Sequence, residues 1–467
     1  MPSSIETATT LAIIFGIVLI LSFALLGRIT ARKLGMPTVI GELLTGILIG
    51  NLLYFCGYDL MVILREGATC MDIARLTLTG HSWDEAAQMV LGQETGAIVI
   101  EMLRGPGGSQ YMQVSQAVDL FTHYGVIFVM FHIGLGAYIV TQLRSLEADS
   151  TKVAVLGAFF PMALGLLVVT LLTPDTSNTE HIFIAATLGT TGIAITASVL
   201  SNLNQRHSKE ARIIFGAAGM DDVLALVMLA IASGIAVTGS ADIEMIGRIA
   251  IRTVLFIATA FGLGPTFLRF LIWLLRHFNV LEAKLFVSFI LVMVLASLAN
   301  LVQLSPVVGA FAAGLLMHES HFKSWGDVYK KKHSIQELFA PLEVIIVPGF
   351  FVLMGIQVKL ETLLDWQVAY LTAGVLAAAV LGKLASGFGA GSKVNRLVVG
   401  CGMLPRGEVG LAFAFVGKSL GVINSSVFSV IVIMVVVTTL ITPLLLRIVI
   451  GKHPQGGQDG SGARTAG

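Results

Sequence analysis

The charged residues of this chain fall in short clusters, and between the clusters run apolar stretches, most of them about 18 to 29 residues long. A helix of that length crosses a hydrocarbon core of about 30 Å. Of the 467 residues 55% are hydrophobic and 12% charged, where soluble globular chains carry roughly 25% charged residues. A soluble fold is therefore excluded, and the class is an all-α polytopic membrane protein. A transmembrane β-barrel is excluded too. Its strands alternate over about ten residues, whereas Val430 to Leu446 is continuously apolar apart from three threonines and a proline. The net charge of +1 offers no basic surface for nucleic acid. Three cysteines, Cys56, Cys70 and Cys401, lack metal-ligand spacing and are too few for a disulfide framework.

Thirteen spans are expected, over 9–33, 38–55, 119–143, 153–173, 181–201, 211–237, 246–274, 284–303, 306–318, 337–357, 367–391, 396–421 and 425–450. The ninth is short for a full crossing. Arg28, Arg32 and Lys33 follow the first apolar run, the reverse of a signal peptide's charge order, so the N-terminus is expected outside. This layout collects Arg144, Lys152, Arg206, Lys209, Arg212, Arg276, Lys284, Lys330, Lys331, Lys332, Lys393 and Arg396 on one side. The positive-inside rule makes that side the cytoplasm, with the C-terminus there and the cell (inner) membrane as the location.

Two regions do not span. Cys56 to Val118 is a polar external insertion in which Ser82 and Glu85 have capping-box spacing, so short helices are expected; Cys56 and Cys70 either pair there or remain two thiols. The tail from Gly451 to Gly467 is Gly-rich and expected to be disordered. Spans one to six and eight to thirteen would be inverted halves joined by the seventh, a transporter architecture.

Ionisable groups in hydrocarbon cost roughly 2.5–3.5 kcal/mol each on insertion scales, so those deep in spans mark function. Asp221 and Asp222 lie about halfway along the sixth span. Neighbours on a helix point about 100° apart, so one carboxylate can face a cation path and the other a neighbouring helix. Lys383, within the eleventh span, needs a carboxylate, and Asp221 or Asp222 is the supplier at hand; a lysine that snorkels to the membrane surface is the plainer alternative. Helix breaks are expected at Leu188-Gly189-Thr190-Thr191-Gly192 and at Pro405-Arg406-Gly407-Glu408, in corresponding places of the two halves. Paired breaks expose helix ends and carbonyls near the midplane, although glycine also serves close packing. Arg406 and Glu408 are expected to support the breaks by bridging to each other or to nearby groups. His132 reads as a satisfied interior histidine. Glu42, Glu337 and Glu343 sit nearer span ends, and Ser334 with Glu337 has capping-box spacing.

With these residues in place the chain resembles the second cation:proton antiporter superfamily, in particular its NapA-like sodium/proton branch. Asp221-Asp222, Lys383 and Pro405-Arg406-Gly407-Glu408-Val409-Gly410 carry the resemblance. So do Pro37-Thr38-Val39-Ile40-Gly41-Glu42-Leu43-Leu44-Thr45-Gly46, Gly309 to Gly314 and Phe350 to Gly355. The insertion is outside the resemblance, and Gly136 stands where many members have an acid. The resemblance implies a dimerisation domain from 1–143 and 284–357, a linker helix at 246–274, and an ion-transport core from 153–237 and 367–450 that moves elevator-fashion. It implies Asp222 as the ion and proton site, with Asp221 sharing the metal-ion role and pairing with Lys383, and Thr190 and Thr191 lining the crossing. The implied protein is a homodimer in the lipid bilayer that exchanges sodium or lithium for protons, electrogenically, with no cofactor beyond the transported ion.

Chemistry supports this class, since one carboxylate in a partly desolvated cavity holds a proton or a cation alternately. An intramembrane aspartyl protease would need two carboxylates brought together to share a proton, and these are helix neighbours, so no enzyme is expected. No selectivity-filter sequence is present, which disfavours a channel. A potassium/proton exchanger stays open, because sequence does not fix ion radius.

Overall fold

The computed structural model describes residues 4–67, 69–105, 107–141, 148–238, 243–325 and 334–451, and among them all regular structure is helical. The chain opens with α1 (Ser4–Leu34) and α2 (Thr38–Phe55). Four short helices follow, α3 (Asp59–Glu66), α4 (Thr69–Leu78), α5 (Trp83–Leu91) and α6 (Gln93–Arg104). Next come α7 (Gly108–Thr141), α8 (Ala148–Leu172), α9 (Asn178–Thr187), α10 (Ile193–Asn202), α11 (Lys209–Thr238) and α12 (Ile243–Leu274). The last third holds α13 (Val280–Leu301), α14 (Pro306–Leu316), α15 (Ile335–Ile356), α16 (Trp366–Ser386), α17 (Arg396–Gly402), α18 (Glu408–Ser419) and α19 (Ser425–Gly451).

Ten of these, α1, α2, α7, α8, α11, α12, α13, α15, α16 and α19, are long and apolar enough to cross a membrane. The other three expected spans are not single long helices. The fifth is α9 followed by α10 and the twelfth is α17 followed by α18, each interrupted where the glycines and the proline fall. The ninth is α14, whose 11 residues start at Pro306 and rise only about 16 Å. Arg144, Lys330 to Lys332 and the tail beyond Gly451 lie outside the described residues.

The helices form two mutually packed sets, one of α1, α2, α7, α13, α14 and α15, the other of α8 to α11 and α16 to α19. Small residues let backbones approach inside each set, as membrane packing without a hydrophobic drive requires. A methyl on Gly134 of α7 would stand 2.4 Å from the Phe311 carbonyl of α14, and one on Gly382 of α16 would stand 2.4 Å from Pro161 of α8.

The insertion between α2 and α7 has its own apolar centre of Val62, Ile63, Ile73, Ala86, Ala87, Val99 and Ile100. The expected capping box forms at Ser82 and Glu85, and the hydrogen bond from the Ser82 N–H holds the Glu85 carboxyl below its ordinary range. A second box forms at Ser334 and Glu337. α7 starts at Gly108, so the insertion's last turns run unbroken into the third span. Cys56 is an exposed free thiol; the side chain of Cys70 lies outside the described residues.

Candidate functional site

The sequence breaks the fifth span at Leu188 because Gly189, Thr190, Thr191 and Gly192 cannot sustain a helix among them. The twelfth breaks before Gly407, where Pro405 lacks a backbone N–H. The two breaks meet. The Gly192 N–H donates to the Pro405 carbonyl at 2.7 Å, and a Cβ on Gly192 would lie 2.7 Å from the Gly407 nitrogen. Only a residue without a side chain fits there. Thr196 of α10 donates to the Gly402 carbonyl at 2.6 Å, and Thr439 of α19 to the Arg406 carbonyl at 2.6 Å. The crossing thus satisfies carbonyls that no water in the hydrocarbon would reach.

Two cations close the remaining helix ends. Lys383, fully buried on α16, donates to the Gly189 carbonyl at 2.7 Å, to Thr191 Oγ1 at 2.6 Å and to Asp221 Oδ2 at 3.1 Å. Arg406, also buried, donates to the Thr190 carbonyl and, at 3.5 Å, to that of Ala379. Both positive groups sit at the C-terminal end of α9, where the helix dipole is negative. Arg406 is not paired with Glu408, contrary to one expectation. Its acceptors are carbonyls, because α17 and α18 leave the guanidinium facing the other break.

The adjacent aspartates have opposite surroundings. Asp221 is 0% exposed and tied to Lys383, with Oδ1 left without a partner. Asp222 is half-buried and makes no hydrogen bond or ion pair among the described residues, with Glu408 and Lys383 within electrostatic range. Thr190 turns its hydroxyl to the Thr187 carbonyl at 3.1 Å, while Thr191 serves Lys383. The arrangement leaves the Asp222 carboxylate free to take a proton or a cation beside the Asp221–Lys383 pair.

Sequence reasoning missed several partners. Glu42 is buried against Arg28 at 2.5 Å. His132 is not interior: its side chain is 41% exposed and its Nδ1 lies 3.1 Å from Glu343 Oε2. The buried side chains of Arg65 and Glu66, at the end of α3, form ion pairs with the partly exposed Glu361 and with Lys359. The signal for that pair was present, as two charges directly follow the apolar run Leu60 to Leu64.

Residues 86–451 match the family described as sodium/hydrogen exchanger, transmembrane. The chain is 30% identical over 464 residues to the high-affinity Na+/H+ antiporter NhaS3 of Synechocystis, covering 96% of this chain and 93% of that one. It is 27% identical to the Na+/H+-K+ antiporter GerN of Bacillus cereus, over 77% of this chain and 91% of the relative. Its fold is similar to that of the sodium proton antiporter MjNhaP1 from Methanocaldococcus jannaschii, with a TM-score of 0.57 at 16% identity, covering 95% of this chain and 97% of that one.

Proposed function

The chain belongs to the sodium/hydrogen exchanger family, and from that membership and the site we propose a secondary sodium/proton antiporter of the cell membrane that also accepts lithium. The observation that carries the reading is the unpaired Asp222 beside Asp221, whose charge is matched by Lys383. Asp222 binds the cation with its proton removed, and binds the proton with the cation gone. Asp221 and Thr191 position Lys383, Thr190 lines the crossing, and Arg406 holds the breaks together, with Glu408 adding negative charge beside the site. The set of α8 to α11 and α16 to α19 moves as an elevator against the set of α1, α2, α7 and α13 to α15. The latter dimerises two copies in the bilayer, and α12 links the sets.

Exchange is electrogenic in this reading. When sodium binds, Asp221 and Lys383 separate, so that Lys383 gives up one proton and Asp222 another. Two protons for one sodium move one net charge, worth about 2.3 kcal/mol per 100 mV. Purified protein in vesicles, given sodium, lithium and potassium jumps in turn, should dissipate a proton gradient with the first two. Current on a solid-supported membrane after a sodium jump tests the stoichiometry, and exchange without current rules out the two-proton cycle. A potassium/proton exchanger is the second reading, favoured by the similarity to GerN, whose name includes potassium; dissipation by potassium alone would select it.

A further inference from the structure

Between the external insertion and the membrane helices lies a cavity of about 750 Å³. Its wall on the α1–α2–α7–α15 side carries a fixed lattice of charge. Arg65 of α3 holds Glu361 through both carboxylate oxygens, at 2.6 and 2.7 Å, reaches Asn51 at 3.2 Å, and lies over the Tyr54 ring at 3.8 Å. Lys359 holds Glu66 at 2.7 Å. The opposite wall contributes Lys418, at the outer end of α18, the helix that begins at the second break.

Lys418 reaches across. Its Nζ donates to Gln357 Oε1 at 2.8 Å and to the Arg65 carbonyl at 3.5 Å, and lies 4.7 Å from the Phe428 ring of its own set. Among the described residues it has no carboxylate partner. Glu66, within its electrostatic range, has a buried Oε2 with no partner. An ammonium on neutral acceptors beside an unused carboxylate oxygen has two seats. An element expected to slide past its neighbours is here fastened to them by hydrogen bonds that such sliding must break.

We propose that Lys418 is an external latch, seated on Gln357 and the Arg65 carbonyl in this conformation, and that the insertion exists in part to hold that seat in place. When the two helix sets shift, Lys418 leaves Gln357, and Glu66 Oε2 receives it. The insertion is then a working surface of the transport cycle. The inference rests on the antiporter reading and on its elevator motion.

The test is a cross-link of adjustable length. In a Cys56→Ser, Cys70→Ser, Cys401→Ala background, Gln357→Cys and Lys418→Cys are joined, after purification into vesicles, by a short or a long bis-methanethiosulfonate spacer. The short spacer should link the pair and slow sodium-driven proton exchange at least about tenfold, as a blocked conformational step does. The long spacer should leave exchange running, and reductant should restore the short-linked protein. An exchanging background whose short-linked form is equally fast overturns the latch alone, as does failure of the short spacer to join the pair. A background that exchanges no cation for protons overturns the function beneath it.

Discussion

Asp221 and Asp222 are covalent neighbours, yet one is tied into a buried network of hydrogen bonds and the other makes none among the described residues. The 100° between adjacent helical side chains separates them. On the Asp221 side, Lys383 spends three donors on a carbonyl, a hydroxyl and a carboxylate. On the Asp222 side nothing is committed. In the proposed antiporter, a site that must release its ion cannot be fully satisfied by protein, and a buried ammonium cannot survive without being satisfied. Splitting the two demands between consecutive residues lets one helix meet both.

This contrast breaks in different ways from its two sides. Asp222→Asn should cut exchange at least about a hundredfold, on the scale of removing the group that moves the proton, with an unchanged melting temperature. Proton-gradient dissipation in vesicles and thermal unfolding in detergent read the two effects separately, and retained exchange would end the assignment. Lys383→Ala should destabilise the fold by about 3–5 kcal/mol, since it strands a buried carboxylate. Adding Asp221→Asn should recover part of that loss, and strictly additive losses would mean that the pair is not coupled.

Thr191→Val comes next, at about 1.5–3 kcal/mol for a hydrogen bond to a charged group, detectable as a lower melting temperature with residual exchange. Glu408→Gln sharpens the comparison from the loose side. It should change stability by less than about 0.5 kcal/mol while shifting the sodium concentration for half-maximal exchange. A large stability loss would place Glu408 in the bonded half after all.

The helical class and both breaks were legible because each depends on local composition: apolar length for the spans, Gly189, Gly192 and Pro405 for the interruptions. The proximity of Lys383 to the aspartates was legible as well, since a buried ammonium leaves few options. Which of the two neighbours it would reach was not given by spacing alone, because that depends on the rotation of α11 against α16. Arg406 was harder still. Its acceptors are main-chain carbonyls at Thr190 and Ala379, and every residue type has a carbonyl, so no side-chain pattern announces them. The half-exposed His132 was misread for a related reason, as an apolar neighbourhood in sequence does not say which face of α7 the ring lies on. Thirteen spans counted by hydropathy became ten long helices because α14 and the two broken crossings pass through the same apolar composition in shorter pieces.

The bond from Arg406 to Thr190 joins residues 216 positions apart, and the Gly192–Pro405 bond is almost as remote. At synthesis rates of about 5–20 residues per second, the first break waits roughly 10–45 s for its partner. For most of that interval the carbonyls of Gly189 and Thr190 lie in a membrane without Lys383, which is made 194 residues after Gly189, and for all of it without Arg406. The nascent first half is therefore an unfinished acceptor surface. Chains stalled before Arg406 should be handed to membrane proteases, because the acceptors of the first break stay unmet until the second break and the helices after it, Glu408–Ser419 and Ser425–Gly451, are made.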